Sequence, residues 1–230
     1  MLIKICGITN LEDAKLAVEA GADAVGFVFY EKSPRYVSPE SAREIAAELP
    51  DTIDKVGVFV GEPPERFAEI ANRVALTAIQ WHVTLDTLAA RSGGSELRAV
   101  SASQSHKRYL AIPAAWFLGE GGVRADLASF TAMPPGLFNA IFLDSDTAQQ
   151  PGGTGKTFDW QQAASLVADF SKSCNVVVAG GLVPGNVAEA IRILKPWGVD
   201  VSSGVESSPG KKDPERVRAF IRAVRQVGNN

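Results

Sequence analysis

Met1-Leu-Ile-Lys-Ile-Cys6-Gly7-Ile8-Thr9-Asn10-Leu-Glu-Asp-Ala-Lys-Leu-Ala-Val-Glu-Ala20-Gly21-Ala-Asp-Ala24-Val-Gly-Phe-Val-Phe29 holds two apolar runs with a helical pattern between them. Leu2 to Cys6 and Ala24 to Phe29 are short, rich in Ile, Val and Phe, and bounded by turn-forming residues, as strands are. Between them Asn10 is placed to cap a helix through Glu19, and Gly21 to close it in the left-handed conformation that a Cβ disfavours. A strand, a helix and a second strand in so short a span predict a parallel βαβ unit.

The same alternation runs on through the chain. Ser38-Pro39 opens a helix after the loop Glu31 to Val37, with Pro at its first turn. Asp54 to Val60 reads as strand three with a helix from Pro64 to Arg73, and Thr77 to Trp81 as strand four with a helix from about Leu85 to Arg91. Leu97 to Ser101 reads as strand five. Residues 102–135 are the least regular part, with one short helix near Ala125 to Ala132. Phe138 to Leu143 is strand six, and the Gly-rich loop Gln150 to Thr157 leads to a helix over Asp159 to Phe170. Asn175 to Ala179 is strand seven, with a helix from Pro184 to Leu194. Val199 to Ser202 is strand eight, and the last helix runs from about Pro214 to Val227. Alternation alone also permits an open doubly wound sheet; eight βα units in 230 residues favour a single-domain (β/α)8 TIM barrel over residues 1–230.

With 46% hydrophobic and 21% charged residues the chain has the composition of a globular protein with a full core. A net charge of −3, with no basic run longer than Lys211-Lys212, gives no footprint for nucleic acid or a membrane surface. No apolar run spans a bilayer and no secretory pattern opens the chain, so a cytoplasmic location is expected. Cys6 and Cys174 lack the spacing of a metal or redox pair, and the strand assignment puts them at opposite ends of their strands, too far apart for a disulfide. No metal site is expected.

Side chains two apart on a strand share a face. Lys4 goes with Cys6, Gln80 with His82, and Asp200 with Ser202. In a barrel that face is the interior, where Lys4, Gln80, Arg98 and Asp200 can satisfy one another. A barrel also builds its active site at the C-terminal ends of its strands. Cys6, Arg35, His82, Asp144, the loop around Gly153, Gly180-Gly181 and Ser203-Gly204 all fall there. Gly180-Gly181 and Ser203-Gly204 follow adjacent strands, where backbone N–H groups bind phosphate in many barrels and glycine allows the close approach. Gly152-Gly-Thr-Gly-Lys-Thr157 lacks the P-loop glycine, since position 150 is Gln150, and reads instead as a mobile covering loop. Taken alone, Cys6 is as well explained as a small buried hydrophobe.

Several stretches nevertheless resemble one family. They are Lys4-Ile-Cys-Gly-Ile-Thr9, Gly21-Ala-Asp-Ala-Val-Gly-Phe-Val-Phe29, Ser33-Pro-Arg-Tyr36, Val56-Gly-Val-Phe-Val60, Leu143-Asp144, Gly152-Gly-Thr-Gly-Lys-Thr-Phe-Asp-Trp160, Ala179-Gly-Gly-Leu182 and Asp200-Val-Ser-Ser-Gly-Val-Glu206. In that order they resemble the phosphoribosylanthranilate isomerases of tryptophan biosynthesis. The resemblance implies a cofactor-free Amadori rearrangement of a small phosphosugar, with Asp144 as general acid and Cys6 as general base. It also implies Arg35 as the cation for the anthranilate carboxylate, and a monomer or homodimer. Gln80-Trp-His-Val83 departs from the family's usual Gln-Leu-His-Gly, so His82 stands at the rim either as a substrate contact or as a structural hydrogen-bonding residue. Rival readings from the residues alone are another phosphosugar barrel enzyme, such as an epimerase or an indole-glycerol-phosphate synthase, and a non-catalytic phosphosugar-binding barrel.

Overall fold

A computed structural model describes residues 1–61, 64–83, 106–119, 136–145 and 157–227, with backbone only at 64 and 65. Eight parallel strands close into a barrel in sequence order. They are β1 (Leu2–Cys6), β2 (Ala24–Val28), β3 (Asp54–Val60), β4 (Ala78–His82), β5 (Lys107–Pro113), β6 (Ala140–Asp144), β7 (Asn175–Val178) and β8 (Gly198–Val201). The closed order excludes the open sheet.

Helices α1 (Leu11–Ala20), α2 (Pro39–Ala47), α3 (Pro64–Val74), α4 (Ala115–Leu118), α5 (Trp160–Phe170), α6 (Val187–Leu194) and α7 (Pro214–Val227) connect and follow the strands. A short hairpin of β9 (Glu206–Ser208) and β10 (Lys211–Lys212) stands between β8 and α7. Asn10 caps α1 by accepting from the Asp13 N–H, and Gly21 ends it at φ 100°. Asp159 caps α5 through the Gln162 N–H. No described helix is long and apolar enough to cross a membrane.

The period-two pattern separates two cores. Ile3, Ile5, Val25, Phe27, Phe59, Leu110, Leu143 and Val199 point outward and are buried under the helices. Ala24, Val56, Ala78, Tyr109, Ala140, Phe142 and Val177 fill the barrel interior. Among the described residues the interior holds a buried ion pair, Lys4 Nζ to Asp200 Oδ1 at 3.0 Å, joining β1 to β8 where the barrel closes. The Lys4 ammonium also stands 5.5 Å from the Phe142 ring centroid. Burial alone would lower the Lys4 pKa, but Asp200 and then Cys6 outweigh it and hold the group above its ordinary value.

The fifth strand corrects the sequence reading. Leu97 to Ser101, Arg98 included, lies outside the described residues, as do the helices expected over 85–91 and 125–132; the barrel's fifth strand is Lys107–Pro113. Its alternation is sound, with Tyr109 and Ala111 inward and Leu110 and Ile112 outward. A terminal proline and two leading cations disguise it. Proline is tolerated there because only the final N–H is lost from the ladder. Tyr109 therefore stands opposite Gln80 in register, in the layer expected to hold Arg98.

At the closing seam Arg225 of α7 donates from Nη1 to the Met1 carbonyl at 3.1 Å and from Nη2 to the Gly21 carbonyl at 3.0 Å and to Asp23 at 2.9 Å. Asp23 in turn accepts the Ile3 N–H at 2.8 Å.

Removing one member of a buried ion pair leaves the other charge uncompensated, at a cost of about 3–5 kcal/mol. Asp200→Asn is expected to lower unfolding free energy by about 3 kcal/mol in urea titration, and Lys4→Met/Asp200→Asn to recover most of that loss. A double variant as unstable as the single one would trace the loss to shape instead of charge.

Candidate active site

The cavity at the C-terminal mouth of the barrel has a volume of about 450 Å³ and is bordered by residues from β1, β2, β3, β4, β6 and the turns after β7 and β8. Cys6, Arg35, His82, Asp144, Gly180, Gly181, Ser203 and Gly204 all line it. Gly153, in the expected covering loop, lies outside the described residues.

Cys6 ends β1 with its side chain in the interior, against Val28, Val58 and Tyr30. Gly26, its neighbour in register on β2, makes room for it: a Cβ there would come within 2.8 Å of Cys6 Sγ and 3.0 Å of Lys4 Nζ. Burial pushes the thiol up. Lys4 pulls it down, Asp200 adds to the rise, Lys212 pulls down again, and the balance lies above the ordinary thiol value. Lys4 is thus a cationic neighbour of the thiol, and burial outweighs its pull.

Asp144 ends β6 across the mouth from Cys6. Gly180 (φ +81°) presses against it: a Cβ there would collide with Ser145 and would come within 2.6 Å of Asp144 Oδ1. The turn after β7 therefore approaches the aspartate as closely as backbone allows. Gly181 also takes a positive φ of 63°, and Gly204, after β8, packs against the Leu182 carbonyl. Among the described residues the Gly181 and Ser203 N–H groups have no backbone acceptor.

His82 ends β4, with Nε2 3.1 Å from Gln80 Nε2. Burial first, and the Lys4 charge second, lower its pKa to about 4. It is neutral at physiological pH, with Nε2 in hydrogen-bond contact with the Gln80 amide.

Arg35 is less free than expected. Its Nε donates to Glu206 Oε1 at 2.9 Å and its Nη2 to Glu206 Oε2 at 2.8 Å. Glu206 Oε1 also accepts from Lys212 Nζ at 2.9 Å, and that ammonium donates to the Cys6 carbonyl at 2.6 Å. Burial would raise the Glu206 carboxyl, but Arg35 and Lys212 outweigh it and hold it below the ordinary range. Glu206 and Lys212 were not singled out in the sequence as site residues. Lys212, half of the longest basic run in the sequence, is buried and turned inward by the hairpin.

The family model for N-(5'phosphoribosyl)anthranilate (PRA) isomerase matches residues 3–109 and 136–223. The chain belongs to this family. The N-(5'-phosphoribosyl)anthranilate isomerase of Thermotoga maritima is 44% identical over 221 residues, 96% of each chain. The phosphoribosyl anthranilate isomerase structure from Thermus thermophilus superposes with a TM-score of 0.79 at 32% identity, covering 99% of this chain and 100% of the other. A third structure, of a phosphoribosyl anthranilate isomerase with reduced 1-(o-carboxyphenylamino)-1-deoxyribulose 5-phosphate bound, has a TM-score of 0.74 at 37% identity, covering 98% and 100%. Among the described residues of the present chain no group of three or more His, Cys, Asp or Glu is placed to hold a metal ion.

Two titrations check this electrostatic description. Between pH 6.5 and about 4 the unfolded chain binds a proton that folded His82 refuses. Stability should fall as pH drops through that window, by up to about 1.4 kcal/mol per pH unit, and His82→Gln should flatten the slope. Equal slopes would mean that folded His82 takes up the proton. In a Cys174→Ser background, alkylation of Cys6 by iodoacetamide should have a midpoint above the ordinary thiol range. In Lys4→Met it should move higher still, and an unmoved midpoint would remove Lys4 from control of the thiol.

Proposed function

We propose that this protein isomerises N-(5'-phosphoribosyl)anthranilate to 1-(2-carboxyphenylamino)-1-deoxyribulose 5-phosphate, with Asp144 as general acid and Cys6 as general base. The observation that carries the proposal is the placement of a thiol, a carboxyl group and a guanidinium around one cavity closed on one side by two glycine-bearing turns.

The aminal C1′–O bond of the furanose ring breaks as Asp144 delivers a proton to the ring oxygen, and the nitrogen lone pair forms the iminium. Cys6, as thiolate, then removes the C2′ proton. The electrons shift to give an enolamine, which tautomerises to the ketone. No electrons are gained or lost overall. A thiolate in so buried a place is costly, and Lys4 and Lys212 are the groups that offset the cost. Backbone N–H groups after β7 and β8, Gly181 and Ser203 among them, suit the 5′-phosphate. Arg35 suits the anthranilate carboxylate, and His82, neutral and paired with Gln80, is a rim contact without a proton-transfer duty.

A fluorescence assay with phosphoribosylanthranilate generated in situ tests the reading. Wild type should turn over. Cys6→Ser and Asp144→Asn should each reduce kcat by about a hundredfold or more with little change in KM, while Arg35→Lys should act mainly on KM. Absence of turnover by wild type would sink the assignment, and near-normal kcat in either variant would remove that residue from the chemistry.

A further inference from the structure

Glu206 occupies an expensive position. Its side chain is 4% exposed, between Arg35 at 12% and Lys212 at 0%. Burying a carboxylate is costly, and paired cations repay the cost only with good geometry, so such an ion cluster is poor evidence for a purely stabilising role.

The donors around it are unequally used. All three Lys212 Nζ protons have acceptors: Glu206 Oε1 at 2.9 Å, the Cys6 carbonyl at 2.6 Å and the Ser202 carbonyl at 3.3 Å. Its backbone N–H goes to Asp13 Oδ2 at 2.8 Å. Arg35 differs, because a guanidinium has two bidentate edges. Glu206 takes the side edge, Nε and Nη2. The end edge, Nη1 with the second Nη2 proton, makes no hydrogen bond among the described residues and belongs to a side chain that lines the cavity. A planar fork gripped along one edge cannot rotate about its own stem, so the bearing of the other edge is set.

The stem is fixed as well. Arg35 Cδ packs on Gly7, where a Cβ would come within 2.7 Å of it, and Gly7 directly follows Cys6. Arg216 Nη1 holds the Glu206 carbonyl at 2.6 Å, and Thr9 Oγ1 holds the Gly210 carbonyl at 2.6 Å, so the hairpin bearing Glu206 is pinned from both sides.

We infer that Glu206 is a positioning residue for carboxylate recognition: gripping Arg35 by its side edge, it presents the end edge to a substrate carboxylate at a fixed place relative to Cys6. The inference rests on the reading of Arg35 as the carboxylate-binding cation. Lys212 makes the coupling direct, since the ammonium that bonds Glu206 also bonds the Cys6 carbonyl. Specificity for a carboxylated aromatic amine then depends on a residue that never touches it.

Calorimetric titration with two probes tests this. One is reduced 1-(o-carboxyphenylamino)-1-deoxyribulose 5-phosphate, and the other is the same molecule without its carboxyl group. Wild type should prefer the carboxylated probe by on the order of tenfold to a hundredfold, the range of a charge-assisted bidentate contact. In E206Q the preference should shrink at least about fivefold while the carboxyl-free probe binds as in wild type. E206M/K212M, which removes both buried charges together, should do the same and carries the readout if E206Q does not fold. Equal weakening of both probes would reduce Glu206 to a structural tether and overturn the inference. So would a preference retained in the Glu206 variants but lost in Arg35→Met. A wild type without preference would overturn the reading of Arg35 itself, and the inference with it.

Discussion

The structure depends on one buried contact, the ion pair between Lys4 and Asp200. A closed barrel must join its first strand to its last in a single register, and apolar side chains alone tolerate a shift that a charge pair does not. Slippage of β1 against β8 by one residue would turn Lys4 out of the interior and leave Asp200 buried there without a partner. Since burying both ions roughly cancels their attraction, the pair specifies the closure more than it strengthens it.

That specification passes upward to the cavity. Cys6 lies two residues above Lys4 on the same face, so a register that seats the ammonium also seats the thiol. A second cation arrives from the far end of the sequence, Lys212, fastened to the Cys6 carbonyl. Around the thiol the protein therefore supplies positive charge from below and behind, against a burial that opposes ionisation. Ionisation of the thiol rests on the balance of these opposing effects, and the balance is adjustable through Lys4, Asp200 and Lys212.

Much of this was legible in the residues. Period-two reading paired Lys4 with Cys6 and Asp200 with Ser202, and the barrel puts each pair where that reading did. Strand β5 was misplaced because a segment beginning Lys-Arg and ending in proline carries a weaker strand signal than Leu97 to Ser101 upstream. Glu206 closes one of the family-like stretches, yet its sequence context does not announce its role. Its meaning depends on contacts 171 residues away at Arg35, with Lys212 reaching 206 residues back to Cys6, and no local pattern encodes a loop charge turned inward by a hairpin.

Closure across 196 residues also has a consequence in time. At synthesis rates of about 5–20 residues per second, β1 leaves the ribosome roughly 10–40 s before β8 exists to cover its free edge. During that interval Leu-Ile-Lys-Ile would be a sticky ribbon open to any passing strand, were it not for a charge at its centre. Inward-pointing charges on exposed edges are a common guard against such pairing. Lys4 thus has two successive duties, keeping the nascent edge solitary and then accepting the one partner, Asp200, that completes the ring.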